Sequence, residues 1–220
     1  MAKSFPNTGA TVIDTSADLP AASGALEGVM MFQKDTNELK ICDGSSWVSV
    51  IDTDTPNGLV LINSTSFSAS SGFNVDNVFS NNFTNYRIVI DATCSNSSFT
   101  TILFQFRAGG STVSSALYFG HEMYRTNTAF NSGYLSSSTS AACGYWADVI
   151  SATSMDIFRP YMSTYTTAMF DSTGYGNANN IKTSSSIYYG GTTSFDGFRI
   201  FPNTGTVTGS LRVYGYRNSI

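Results

Sequence analysis

NYRIVIDATCSNSSFTTILFQFRAGGS, residues 85–111, decides the fold class. Within residues 86–91, Tyr86, Ile88 and Ile90 fall on one side and Arg87, Val89 and Asp91 on the other. Within residues 99–107, Ile102, Phe104 and Phe106 oppose Thr101, Leu103, Gln105 and Arg107. Apolar residues two apart line one face of a pleated strand, whereas a helix repeats them at three and four. Ala108-Gly109-Gly110-Ser111 then supplies a turn, because Gly accepts backbone geometry closed to other residues.

The same period runs outward to the end of the chain. It recurs at 198–201 and 211–216, and shorter candidate strands lie at 59–63, 65–69, 113–119, 143–150, 154–158, 164–170 and 187–189. Turn clusters such as Gly190-Gly191-Thr192 and Pro202-Asn203-Thr204-Gly205 separate them, and no window of about eleven residues carries helical periodicity. Residues 57–220 are therefore expected to form an antiparallel β-sandwich, jelly-roll-like, in an all-β chain.

Composition changes near Pro56. Residues 1–56 hold eight acids against three Lys and three aromatics, whereas residues 57–220 hold seven acids, eight bases and 27 aromatics. A linker is expected at DTDTPNG, residues 52–58. Before it, GVMMFQKDTNELKICDGSSWVSVID (28–52) has three apolar runs separated by Asp35-Thr36-Asn37 and Asp43-Gly44-Ser45-Ser46, so residues 28–56 read as a three-stranded β-meander and linker. So small a sheet needs a second surface, and Met31, Ile41 and Trp47 are its expected packing and attachment residues. Residues 1–27, rich in Ala, Ser, Thr and Gly, lack the apolar area to order themselves and are expected to form an extended attachment arm.

Charge bounds the partners. Only 12% of the 220 residues are charged, the net charge is -4, and Ser, Thr and Asn supply 76 positions. That balance gives no electrostatic footprint for nucleic acid, and no apolar run reaches the length of a membrane span. Three Cys at wide spacing (42, 94, 143) predict buried thiols rather than a disulfide or metal framework, and no pattern calls for a cofactor. One His, His121, and no nucleophile signature predict a protein that is not an enzyme. A glycan-cleaving role would need two convergent carboxylates among such candidates as Asp148, Asp156, Asp171 and Asp196. The 27 aromatics exceed what one core of this size hides, which predicts subunit interfaces and an oligomer.

The 28–50 segment resembles a short segment of phage tail-fibre and appendage proteins through Gly28, Asp35, Thr36, Asn37, Leu39, Asp43, Gly44, Ser45 and Trp47. The remainder is similar to virion domains of marine and cyanobacterial phages in its Gly58-Leu59-Val60 opening, in 85–111, 156–172 and 196–218, and in the closing G-x-L-x-V-Y-G. This resemblance implies a homotrimeric virion protein, a tail fibre or spike assembled in the host cytoplasm. Residues 1–56 would dock on other tail or capsid proteins, and the sandwich would bind a host-surface glycan or protein. A capsid decoration or head-fibre protein is the alternative it leaves open. Rings stack on the apolar faces of sugars, so Tyr145, Trp146, Tyr175, Tyr188 and Tyr189 are the expected ligand contacts. Arg87, Arg107, Arg199 and Arg212 are expected on the more polar strand faces, paired with Asp148, Asp156 or Asp196 across a subunit boundary or solvated.

Overall fold

The structure is a computed structural model that describes residues 11–50, 58–96 and 98–217. The first ten residues of the expected arm, and the expected linker up to Asn57, lie outside them. The chain separates into two compact units, Met1–Asn57 and Gly58–Ile220.

The first unit is a four-stranded sheet of β1 (Thr11–Ile13), β2 (Met30–Gln33), β3 (Glu38–Cys42) and β4 (Trp47–Ser49). Strands β2, β3 and β4 form the antiparallel meander, with Met30 opposite Ile41 and Ile41 opposite Val48. Its turns follow from side-chain chemistry: Asn37 takes φ 57°, and Asp43 Oδ1 accepts hydrogen bonds from the backbone N–H groups of Ser45 (2.8 Å) and Ser46 (2.7 Å). These amides hold the Asp43 carboxyl well below the usual carboxylate range.

From residue 11 onward the expected arm is a folded element. β1 pairs parallel with β2, Val12 opposite Phe32, and two 3-10 turns (Ser16–Asp18 and Gly24–Leu26) carry the chain back across the sheet. Trp47 Nε1 donates to the Pro20 carbonyl at 2.7 Å, and the Ser16 amide donates to Asp35 Oδ2 at 3.1 Å. The segment lacks apolar area of its own, but it satisfies its polar groups on the meander, which the composition argument did not consider.

The second unit contains β5 (Leu59–Ser70), β6 (Phe73–Val75), β7 (Asn85–Cys94), β8 (Phe99–Ala108), β9 (Ser111–Thr112), β10 (Tyr118–Thr126) and β11 (Phe130–Ser138). There follow β12 (Ala141–Ala147), β13 (Ile150–Phe158), β14 (Thr166–Gly176), β15 (Asn179–Tyr189), β16 (Gly197–Pro202) and β17 (Val207–Tyr216). An eight-stranded sheet in the order β11-β10-β15-β14-β13-β7-β17-β5 packs on a five-stranded one, β12-β8-β16-β6, with β9 beside β8. Every pairing in both sheets is antiparallel.

The core fills the space between the sheets with alternate residues of each strand. Tyr86, Ile88, Ile90, Ile102, Phe104 and Phe106 are all fully buried, as their period requires. Each such side chain contributes roughly 1.5–3 kcal/mol by leaving water. Phe106 stacks on Phe195 at 4.3 Å and Phe104 on Phe198 at 5.8 Å. Buried polar tips find partners: the Tyr118 hydroxyl accepts from the Phe106 amide at 2.8 Å and donates to the Val113 carbonyl at 2.9 Å. Cys42, Cys94 and Cys143 are buried free thiols.

Two of the expected arginines are paired within the chain, Arg87 with an expected acid and Arg107 with one outside the expected set. Arg107 is 6% exposed, and its Nε donates to Asp76 Oδ1 at 2.5 Å while Nη2 reaches Asp76 Oδ2 at 3.2 Å. Arg87 lies opposite Asp156 on neighbouring strands of the same chain, Nη1 to Oδ2 at 3.6 Å. Both pairs are internal to the chain and bridge no subunit boundary.

Candidate functional site

The outer face of the eight-stranded sheet carries a groove made by side-chain size. In β15 (NNIKTSSSIYY) Ile181, Thr183, Ser185, Ile187 and Tyr189 point into the sandwich, and Lys182, Ser184, Ser186 and Tyr188 point outward. The strand register continues one outward row as Tyr134, His121, Ser186, Met169 and Asp156, and the next as Ser132, Met123, Ser184, Asp171 and Ser154. Serines on the middle strand, with larger side chains on both flanks, leave a trough of about 650 Å³. That is within the usual range for small-molecule sites, ~300–1,000 Å³.

Further depressions flank the trough on both sides along β15. A depression of about 450 Å³ at Phe119, Tyr188 and Thr167 shares His121, Tyr134, Met169 and Ser186 with the central one. A third, of about 440 Å³, lies at Arg125, Lys182 and Thr173, the next outward positions of the same strands. Phe119 and Tyr188 stack at 5.1 Å, and His121 lies 5.0 Å from the Tyr134 ring.

Its charges are compensated locally. Lys182 forms an ion pair with Asp171. Asp156 Oδ1 accepts a hydrogen bond from the Tyr216 hydroxyl at 2.5 Å, and Arg87 faces its Oδ2. The Tyr216 hydrogen bond, and then the Asp156 charge, raise the Arg87 guanidinium above its ordinary value, while burial followed by the Asp156 bond raises the Tyr216 phenol.

Behind the groove, Glu122 points between the sheets. It lies opposite Gly133, where a Cβ would meet Glu122 Cγ at 3.0 Å. Burial pushes the Glu122 carboxyl up, and its Oε2 has no hydrogen-bond partner among the described residues.

The expected ligand contacts separate by strand parity. Tyr188 and Tyr175 are 46% and 42% exposed on the outer face, Tyr188 in the groove and Tyr175 opposite Ile150 and Asn180. Trp146 is fully buried with Nε1 bonded to Thr153 Oγ1 at 2.8 Å, and Tyr189 is 2% exposed against Tyr118 and Phe195. These two are core residues and present no ring to a ligand. Tyr145 is half-buried beside Tyr124, ring centroids 4.9 Å apart. Neighbours in a strand face opposite ways, so neither Tyr145-Trp146 nor Tyr188-Tyr189 can act as a paired platform. Ser184, Ser186, Tyr134, Met169 and Asp171 were not singled out for binding from sequence; KTSSSI (182–187) places Ser or Thr on both faces, so no alternation marks its outward serines.

The first unit offers a different surface. Met31 and Trp47 share the sheet face crossed by residues 14–29, Met31 5% exposed and Trp47 half-buried. Ile41 is half-buried on the opposite face with Met30, Val48, Val12, Phe32 and Leu39. That face is apolar throughout, and Val12, Met30 and Val48 are 55%, 44% and 45% exposed.

Among the described residues no helix is long and apolar enough to cross a membrane. No protein-family model matches the chain, and no curated protein matches it.

Proposed function

We propose that the chain is a bacteriophage virion protein, a trimeric tail fibre or spike that docks through its N-terminal unit and binds the host surface through its sandwich. One observation carries this reading: the two open surfaces belong to different units and have opposite chemistry. The first unit presents an uncharged apolar sheet face, suited to a permanent protein contact. The second presents a hydroxyl-lined groove, suited to a reversible polar ligand. Three copies on one particle would convert weak grooves into firm attachment through effective concentration.

The reading needs no chemistry. Asp156 and Asp171 both line the groove, and each is paired with a cation, Arg87 and Lys182. A capsid decoration protein with an arm laid over its neighbours is less well supported, since residues 11–27 are occupied by their own meander. The test is imaging of purified particles, with fluorescently labelled protein applied to host cells. Tail location, a native mass of three chains and cell staining above a denatured control are expected. A 23.6 kDa monomer that leaves cells unstained overturns the proposal.

A further inference from the structure

We propose that the groove along β15 binds a linear, uncharged oligosaccharide, with Ser184 and Ser186 beneath the chain and Tyr134 and Met169 against its apolar faces. The inference deepens the host-binding reading and rests on it only for where the glycan is met.

Shape points to an extended ligand. The depressions follow one strand over residues 180–188, a run of about 27 Å at the usual rise of a strand, and none is closed over as a pocket for a single ring would be. Backbone chemistry excludes a peptide added as a strand, because β15 is hydrogen-bonded on both sides, to β10 and β14, and offers no free edge.

The lining selects a polyhydroxylated chain. Serine hydroxyls both donate and accept, so Ser132, Ser154, Ser184 and Ser186 match alcohol groups without imposing a charge. Asp156 and Asp171 accept hydrogen bonds from hydroxyls, and their carboxylates are pre-oriented by Tyr216 and Lys182. Because each has its counter-charge within the protein, the centre has no net demand for a cation. An anionic sugar finds no free cation at the centre, because Arg87 and Lys182 are already held by Asp156 and Asp171. The ring of Tyr134, 69% exposed, and the thioether chain of Met169, 53% exposed, supply the apolar contact that C–H faces require.

The experiment uses the full chain on an array of neutral and acidic oligosaccharides, and on host cells with and without periodate, which cleaves vicinal diols. Neutral oligosaccharides should bind, and periodate should abolish cell staining. Ser184→Tyr, which fills the floor from the solvent side, and Tyr134→Ala should each weaken array binding by about tenfold or more, as when one well-packed contact is lost. Their melting temperatures should match the wild type. Binding confined to acidic sugars, an array without binding, staining that survives periodate, or binding unchanged by Ser184→Tyr overturns the glycan assignment. Stained but periodate-resistant cells overturn it alone and leave host binding standing; unstained cells with neutral array binding do the reverse.

Discussion

Arg107 shows how a chain with little charge uses the charges it has. Besides the two-pronged contact with Asp76, Nη1 donates to Thr112 Oγ1 at 2.8 Å and Nη2 to the Gly110 carbonyl, so one guanidinium anchors the β8–β9 turn. A planar fork makes these contacts together, and a lysine cannot. Asp76→Ala strands a cation whose side chain is 8% exposed; because the Asp76 side chain is 35% exposed, we expect a loss of about 2–3 kcal/mol, below the range for a fully buried pair. Asp171→Ala breaks a pair whose side chains are each 54% exposed and should cost less than about 1 kcal/mol. Urea unfolding of the two variants separates them; equal losses would show that burial does not set the difference.

The β10–β11 hairpin is the element where acidity and stability are coupled. Burial raises the Glu122 carboxyl above its ordinary 4.5, so the folded state holds that proton more tightly than the unfolded chain. The resulting stability is fully present below the unfolded value and is lost as pH rises through the raised folded one. Glu122→Gln keeps the neutral form at every pH. Its melting temperature should therefore gain on the wild type between pH 4 and pH 8, and a gap that stays constant would refute the coupling. Element type was legible in sequence wherever large apolar residues alternate with polar ones, as in β7, β8, β16 and β17. It failed at β11 and across most of β15, where Ser and Thr occupy both faces and period two leaves no contrast in hydrophobicity, and at β10, of which the expected strand 113–119 covers only Tyr118 and Phe119. The floor of the groove was lost for the same reason. β1 was missed because its three residues acquire meaning only from a parallel partner far along the chain.

At the scale of the whole molecule, low charge is partitioned rather than uniform. The open face of the first unit carries no charge among Val12, Met30, Phe32, Leu39, Ile41 and Val48, whereas the outer face of the sandwich pairs Asp156 with Arg87 and Asp171 with Lys182. Ile41→Asp sets a carboxylate between Met30 and Val48, where an apolar contact would have to desolvate it. Incorporation into particles should fall sharply while the sandwich melts as before; normal incorporation would show that another surface makes the contact. The position of β17 has a consequence for how the protein is made. It is inserted between β7 and β5, pairing with both along nearly its whole length. Until a ribosome has released residue 216, β5 has no partner in its sheet and β7 has an open edge. The larger sheet therefore stays incomplete until β17 has emerged, and the edges of β5 and β7 need protection until then.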